Sequence, residues 1–268
     1  MIVGLVSAKE TLKRKFEVEM TEKLEYLPNY NIQPNRTCIF ISSDKPGQFS
    51  EYHYGMIPSW SKEPVPYYHA PVESHKTEHK EGILRKDIIL DQSFRKPIRS
   101  QRGILPIDYF IVPAKNNIPY LVFPTEKKNR PVALACIWDC WKKEITDLLT
   151  YGFAILTIPA FGVFKEAGIE YLPVVLDEYQ YRKWLKPNLS LTAVTEMLVP
   201  VPKTELNAFP VSNEIWNCED NDRRLIANQG ELLVKERAMI KPTIAEKFQR
   251  KKFHDSPGFD WGYMKIGK

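Results

Sequence analysis

The sequence lacks any hydrophobic run long enough to cross a membrane. Its 268 residues contain no stretch that approaches the roughly 20 consecutive apolar residues of a transmembrane helix. The apolar segment 1–7 carries no basic residue and runs directly into charge at Lys9, which is unlike a secretory signal peptide. We therefore expect a protein of the cytoplasm that does not associate with a membrane.

Cysteine is scarce, and the four residues that occur show no pairing pattern. Cys38, Cys136, Cys140 and Cys218 form no C-x-x-C pair and no spacing typical of a disulfide framework. Cys136 and Cys140 flank the letters IWD inside an apolar run, so packing is favoured over metal ligation for both. The sequence thus predicts free thiols in a reducing compartment.

Glycine is also sparse, with 12 residues against 21 prolines. Frequent proline, together with 12% aromatic residues, favours short strands and irregular connections over a helical bundle. The hydrophobic fraction (43%) and the charged fraction (26%) are ordinary for a globular protein. At this length the chain can bury a sizeable core as one large domain or two small ones.

Strong charge of one sign is missing from most of the chain. The formal net charge is +5, and residues 236–268 hold eight Lys or Arg against four acidic residues. The remaining 235 residues therefore carry only about +1, so charge alone does not indicate a cationic nucleic-acid surface. We predict one domain over residues 1–235 and a basic C-terminal extension over residues 236–268.

Short strand patterns separated by turn residues dominate the chain. Strands are predicted at 37–42, 51–57, 103–112, 118–123, 132–141, 151–159 and 207–212. Residues 61–82 are polar and contain proline, which predicts a long loop. The pattern indicates an α+β protein with a mostly antiparallel barrel or sandwich.

Helices are predicted near both ends and in the second half of the chain. They are placed at roughly 8–16, 177–185 and 191–198. Ser7 and Glu10 form a capping-box pattern at the start of the first helix. Ser190 is the predicted N-cap of the last one.

Residues 75–79 read HKTEH, which has the form H-x-x-E-H of some zinc peptidases. Two histidines four residues apart share one helical face, and Glu78 can act as general base on a zinc-bound water. A catalytic zinc site also needs a helix anchored in a core, but no apolar residue lies between Val72 and Ile83. No third ligand can be identified. A solvated loop is therefore favoured, and we predict no bound metal.

A series of short sequence blocks runs in a fixed order along residues 1–220. The blocks read PNYNIQP (28–34), YGMIPSW (54–60), SFRKPIRSQRGILPIDYF (93–110), ACIWDCW (135–141), FAILTIPA (153–160), YLPVVL (171–176) and FPVS (209–212). This ordered series resembles the SRAP family, the SOS response-associated peptidases. The resemblance implies a single α+β domain, mostly an antiparallel β-sheet pseudo-barrel with flanking helices, crossed by a DNA-binding cleft.

The resemblance also gives a second interpretation of the stretch around HKTEH. The segment HAPVES (69–74) takes the place of the family block N-A-R-x-E-T. His69 stands for the Asn and Pro71 for the Arg, while Glu73 matches the Glu. HKTEH then becomes a variable stretch that follows an altered cleft loop.

The family's covalent chemistry depends on four reactive groups. A cysteine after the initiator Met and its free α-amine attack the ring-opened aldehyde of an abasic site in single-stranded DNA, and form a stable ring adduct. A Glu, an Asn and a His assist by hydrogen bonding and proton transfer. In this sequence Ile2 stands at the cysteine position, Val112 at the Glu position and His69 at the Asn position. The His position falls near Ile169 or, with a longer loop, near Glu166.

These replacements predict that the family's catalytic residues are missing. An aliphatic Ile2 offers no nucleophile, and its bulk is expected to leave Met1 in place and block the amine. Tyr171 also replaces the Arg of the family's R-M-P block. A substitute thiol is not expected from Cys38 or Cys136, because both lie in apolar strand patterns where thiols are usually inert.

Nucleic-acid binding can persist without this chemistry. Trp60 matches the Trp of the family's P-x-W block, where it can stack a base for about 1–3 kcal/mol, or it is simply a core residue. The basic cluster that includes Lys96 is suited to phosphates, or is a solvated surface run. The predicted nucleic-acid-binding residues are Trp60, His69, Glu73, Arg95, Arg99 and Arg102.

We therefore predict a degenerate member of this family, with no cofactor, that binds single-stranded, abasic or damaged DNA in a DNA-damage context. Covalent crosslinking to DNA is not expected. Two alternatives stay open. Either the cleft has been repurposed for protein interaction with no DNA role, or the protein is a peptidase, through a zinc-bound HKTEH or through residual family chemistry.

Overall fold

The strand-forming segments build two β-sheets in the computed structural model, which describes residues 1–73, 87–143, 146–198 and 204–235. The strands are β1 (Ile2–Leu5), β2 (Asn29–Ile32), β3 (Thr37–Ser42), β4 (Ser50–Tyr54), β5 (His69–Pro71), β6 (Arg102–Ile107), β7 (Tyr109–Pro113), β8 (Pro119–Pro124), β9 (Val132–Lys142), β10 (Leu149–Pro159), β11 (Tyr171–Pro173), β12 (Val175–Leu176) and β13 (Leu206–Pro210). The α-helices are α1 (Lys9–Phe16), α2 (Pro97–Ser100), α3 (Gly162–Glu166), α4 (Glu178–Trp184) and α5 (Leu191–Met197).

Five strands close into a barrel. Their order is β10-β4-β3-β6-β9, and β9 pairs again with β10 to complete the ring. The β4–β10 pair is parallel, and the other pairs of the ring are antiparallel. The short strands β5 and β11 extend the sheet from β10, and β12 extends it from β9. The predicted α+β fold with a mostly antiparallel pseudo-barrel is confirmed.

Large aromatic side chains fill the barrel interior. Phe153 stacks on Phe40 at 4.8 Å and on Tyr54 at 5.2 Å between ring centroids. All three side chains are fully buried. A Cβ atom on Gly103 would lie 2.3 Å from the Phe40 ring, so β6 needs glycine where it passes this ring.

The second sheet has the order β13-β8-β7-β1-β2 and is antiparallel throughout. One of its faces joins the main core. The other face carries a separate apolar cluster that consists of Ile2, Tyr109, Ile111, Leu121, Val211, Ile215 and Leu225. Successive side chains of β1 and β7 therefore point alternately into the main core and into the separate cluster, because the side-chain period of a strand is two residues.

Later segments of the chain cover both edges of this second sheet. The Tyr30 amide of β2 donates to the side-chain oxygen of Asn221 at 2.7 Å, and the side-chain amide of Asn31 donates to the Cys218 carbonyl at 2.6 Å. At the other edge the Leu233 amide donates to the Ala208 carbonyl of β13 at 2.8 Å. These contacts satisfy backbone groups that an open sheet edge would otherwise expose.

The predicted capping box at Ser7 is wrong. Helix α1 begins at Lys9, its N-cap is Ala8, and no side chain caps it. The Ser7 hydroxyl instead donates to Asp108 at 2.6 Å, and the Ser7 amide donates to the same carboxylate at 2.7 Å. Asp108 interrupts the segment predicted as one strand at 103–112 and divides it into β6 and β7.

Three other predictions concern the cap of α5, the loop at 61–82 and the C-terminal extension. The Ser190 hydroxyl accepts from the Ala193 amide at 3.2 Å, which confirms the predicted cap of α5. The predicted loop at 61–82 contains β5, which is held by pairing with β10 rather than by its own sequence. The predicted extension at 236–268 lies outside the described residues, and the described chain as far as Val234 forms one unit.

Arg102 is fully buried, so its predicted role in binding nucleic acid is wrong. Its guanidinium donates to backbone carbonyls at the end of α2, including Ile98 at 3.2 Å, and to the Trp184 carbonyl of α4 at 3.0 Å. It also donates to the carbonyls of Arg99 and Lys186. Burial lowers the pKa of this guanidinium from its usual value. The guanidinium hydrogen bonds connect the ends of α2 and α4, and they leave no N–H donor free to bind a phosphate.

Substitution of Arg102 by Met is expected to destabilise the fold by about 3 kcal/mol, because several buried carbonyls lose their donor. The check is urea unfolding followed by circular dichroism. Arg99→Met is the matched control, since Arg99 is exposed, and it should change stability by no more than about 0.5 kcal/mol. Equal effects of the two substitutions would contradict the joining role of Arg102.

Candidate functional site

A cleft of about 760 Å³ lies between the second sheet and the strands that extend the barrel. It is lined by Met1, His69, Pro71, Val112, Pro113, Ala114, Lys115, Asn116, Asn117, Thr157, Gly168, Glu170 and Tyr171. Its volume falls in the range of roughly 300–1,000 Å³ that is typical of small-molecule sites. The cleft is therefore the candidate site of the described chain.

Strand pairing places the two walls of the cleft. On the barrel side, β5 runs parallel to β10, with His69 opposite Ile155 and Pro71 opposite Thr157. On the other side, Ile2 of β1 pairs with Ile111 of β7. This register brings Met1 beside the end of β7, where the cleft opens.

Ile2 does not face the cleft. Its side chain is 4% exposed and packs with Ile111 in the separate apolar cluster. Met1 lines the cleft instead, because successive side chains of a strand point to opposite faces. Burial lowers the pKa of the Met1 amino group to about 6. The expectation that the bulk of Ile2 leaves Met1 in place and blocks the amine stays a prediction.

His69 lies in a hydrogen-bonded and largely buried part of the cleft. Its Nε2 is 3.5 Å from the Tyr54 hydroxyl, which donates to the Met1 carbonyl at 3.1 Å. Burial, and secondarily the charge of the Met1 amino group, lower the pKa of His69 to about 4. Burial raises the pKa of Tyr54 well above its usual value. Both side chains are therefore neutral near pH 7.

The other two family positions are occupied by apolar side chains in different settings. Val112 lines the cleft and offers no group for proton transfer. Ile169 is 2% exposed and belongs to the main core, so it does not reach the cleft. Glu166, the alternative position, is exposed on α3 and is not among the lining residues.

Two charged residues of the cleft were missed by the sequence analysis. Glu170 precedes β11, and Lys115 lies in the turn between β7 and β8. Neither belongs to a sequence motif, because each is one of many exposed charged residues next to a strand. Glu170 and Lys115 reach the same cavity only because the loop before β11 packs against the turn between β7 and β8.

None of the four cysteines lines the cleft. Burial raises the pKa of Cys38 to about 12 and that of Cys136 well above its usual value. A thiol that stays protonated at neutral pH is a poor nucleophile. The cleft therefore has no thiol that can attack a substrate.

Trp60 lies on the loop that leaves the barrel at the end of β4 and returns to the cleft at His69. The loop connects β4 to β5, and these two strands pair in sequence along the same edge of β10. Its base is closed by two hydrogen bonds between Met56 and Tyr67, of 2.9 and 2.8 Å. Trp60 is 54% exposed, so it is not a core residue.

The base of this loop is fixed by the long hairpin of β9 and β10. Asp139 accepts from the Ser59 amide at 2.7 Å, and the Trp141 indole donates to the Ser61 carbonyl at 2.8 Å. A Cβ atom on Gly152 would lie 2.2 Å from the Gly55 carbonyl oxygen, so only glycine permits this approach. Trp60 is thus presented to solvent from a well-anchored loop.

The basic cluster lies next to the Trp60 loop. Phe94 packs edge-on against Tyr67 at 5.1 Å between ring centroids, and the Ser93 hydroxyl donates to the Tyr67 hydroxyl at 3.2 Å. The adjacent Arg95 is exposed, and so is Arg99 at the end of α2. Of the predicted basic contacts, these two remain available for a phosphate.

Two predictions concern the segment after β5. Glu73 is partly exposed, two residues beyond β5, and is not among the residues that line the cleft. The HKTEH stretch at 75–79 lies outside the described residues. Within the residues that the structure does describe, no group of three or more His, Cys, Asp or Glu is arranged to hold a metal ion.

Nothing in the described helices suits a transmembrane segment, since none is both long and apolar enough to cross a bilayer.

The fold is shared with solved structures. A crystal structure of a protein from Bacteroides thetaiotaomicron superimposes with a TM-score of 0.70 at 18% sequence identity, covering 85% of this chain and 99% of that protein. A protein from Bordetella bronchiseptica gives a TM-score of 0.62 at 18% identity, covering 79% of this chain and 99% of that one. At these identities the likeness shows the fold alone.

The sequence then identifies the family. Residues 3–218 match the SOS response associated peptidase (SRAP) family, and the chain belongs to it. The abasic site processing protein YoaM of Bacillus subtilis is 25% identical over 230 residues, covering 83% of this chain and 95% of that protein. The abasic site processing protein YoqW of the same organism is 25% identical over 209 residues, covering 75% and 87% respectively. The family predicted from the ordered sequence blocks is confirmed.

The depressed pKa of His69 predicts a specific loss of stability in mild acid. The unfolded chain binds a proton on this residue below about pH 6.5, whereas the folded protein resists it until about pH 4. Stability should therefore fall as the pH drops through this window, because the unfolded state binds more protons there.

Urea unfolding near pH 7 and near pH 5 measures this effect. His69→Gln removes the titrating group, so the variant should lose less stability than the wild type between the two pH values. An equal loss in both proteins would show that His69 titrates normally in the folded state.

Proposed function

We propose that this protein binds single-stranded DNA that carries an abasic or damaged nucleotide, without forming a stable covalent bond to it. The observation that carries the proposal is the exposed Trp60, which is held on an anchored loop that returns to the cleft at His69. The names of the relatives, abasic site processing proteins, support a role related to DNA damage.

Base stacking gives Trp60 a physical role. A half-exposed indole presents an apolar aromatic face to solvent, and unstacked bases present an aromatic face of matching size. A single-stranded nucleic acid offers such bases, whereas a duplex does not. This supports single-stranded DNA as the ligand.

Phosphate contacts from neighbouring cations fit the same ligand. Arg95 and Arg99 are exposed on the segment that packs against the base of the Trp60 loop. Contacts of this kind position a strand and make its affinity depend on salt, but they do not read sequence. The expected binding is therefore electrostatic and insensitive to sequence.

The absence of a thiol from the cleft supports binding without stable capture. A ring adduct with an aldehyde needs a thiol and an amine on adjacent atoms, and no cysteine lines this cleft. An amine alone forms an imine with an aldehyde, and water reverses that bond. The groups that remain in the cleft favour reversible association.

Interaction with another protein is the second candidate function. Trp60, Val65 and Tyr67 are all exposed on the same loop, and exposed apolar groups of this kind also occur at protein interfaces. If the purified protein shows no binding to single-stranded DNA at low salt, this second function is favoured.

Trp60→Ala is expected to weaken binding to single-stranded DNA by about 5- to 100-fold, which corresponds to the loss of one stacked base. Fluorescence anisotropy with a labelled oligonucleotide, repeated over a range of salt concentrations, measures the affinity. Tyr179→Ala is the matched control, because Tyr179 is a 73% exposed aromatic residue on α4, away from the loop. Equal affinity of the two variants would remove the stacking role.

Incubation with single-stranded DNA that contains a natural abasic site is expected to give no heat-stable adduct on a denaturing gel. The physical reason is that the cleft holds no thiol to convert a reversible imine into a stable ring. Binding to the same DNA should be measured in parallel, so that a failure to bind is not mistaken for a failure to react. A stable adduct that maps to the cleft would contradict the proposal.

A further inference from the structure

The turn between β7 and β8 places one lysine and two asparagines on the wall of the cleft. Lys115, Asn116 and Asn117 are exposed and line the cavity. Asn116 and Asn117 adopt left-handed backbone conformations, with φ of 61° and 59°, which asparagine tolerates better than most residues. The indole of Trp216 donates to the Asn117 carbonyl at 3.0 Å and anchors the turn.

Close packing fixes the start of this turn against the opposite wall. Gly168 has φ of 81°, and a Cβ atom on it would lie 2.7 Å from the Cβ of Lys115 and 3.0 Å from its amide nitrogen. The loop before β11 therefore touches the Lys115 backbone directly. Because the backbone is held, the lysine side chain leaves the wall from a fixed point beside the cleft.

Lys115 is the one lysine or arginine among the residues that line the cleft. His69 and the Met1 amino group are largely neutral near pH 7. The remaining charged residue of the lining is the acidic Glu170. Lys115 makes no ion pair with it, or with any other carboxylate in the described ranges, so its ammonium group is free for an external anion.

We propose that Lys115, supported by the side-chain amides of Asn116 and Asn117, binds a DNA phosphate next to the nucleotide that enters the cleft. Lysine ammonium and asparagine amide groups are both common phosphate donors in nucleic-acid complexes. The inference rests on the proposed function and deepens it. It adds a phosphate contact inside the cleft to the proposed stacking contact of Trp60 and the basic contacts of Arg95 and Arg99.

The test uses the full chain and a short single-stranded oligonucleotide with one tetrahydrofuran residue, a stable analogue of an abasic site. Lys115→Gln should weaken binding by roughly fivefold and should lower the slope of log affinity against log salt by about 0.7. Lys115→Arg should keep most of the affinity. Glu170→Gln should strengthen binding, since it removes a negative charge from the same cavity.

Lys165→Gln is the control, because Lys165 is exposed on the adjacent helix α3 but does not line the cleft. It removes the same charge and should leave the salt slope unchanged. A second probe replaces either phosphate beside the tetrahydrofuran by a neutral methylphosphonate. At the contacted phosphate, the difference between wild type and Lys115→Gln should disappear.

The outcomes separate this inference from the proposed function. If the wild type binds and Trp60→Ala is weaker, but Lys115→Gln behaves like Lys165→Gln, the phosphate contact is overturned and the proposed function stands. If the wild type does not bind the probe even at low salt, the proposed function fails, and the phosphate contact fails with it. A loss confined to Lys115→Gln and suppressed by one methylphosphonate supports the contact.

Discussion

The pairing of strand β10 is the constraint on which the rest of the structure depends. One edge of β10 pairs first with β9, which closes the barrel, and then with β11, while its other edge pairs in turn with β4 and β5. Because β4 and β5 meet the same edge, the chain between them must leave the sheet as a loop. That loop carries Trp60, and its return places His69 in the cleft. A single strand thus sets the position of both the loop that carries the exposed aromatic residue and the strand that lines the cavity.

The electrostatics of the cleft follow from its burial more than from its charges. Removal of water disfavours the protonated form of His69 and the ionised form of Tyr54. The same effect lowers the pKa of the Met1 amino group. His69, Tyr54 and the Met1 amino group are therefore largely neutral at physiological pH, and the acidic and basic side chains of the lining, Glu170 and Lys115, are exposed.

Much of the fold could be predicted from the sequence, because the barrel strands are long enough to show their own pattern. The short β5 could not, since its three residues are ordered only by β10. Arg102 was misjudged because a run of basic residues predicts exposure, whereas the carbonyls that bury it come from α2 and α4, far apart in the chain. For the cleft, the family blocks located His69 and Val112, but Lys115 belongs to no block. Its place depends on a contact with Gly168.

The side chains of β1 alternate between the main core and the separate apolar cluster. Met1 and Val3 face one side of the sheet, and Ile2 faces the other, so the parity of the strand decides which side chain reaches the cavity. If the pairing of β1 with β7 shifted by one position, a side chain that now packs in the outer cluster would face the cavity instead. No substitution would be needed for this exchange. Which functional groups line such a pocket therefore depends on strand register as much as on residue identity.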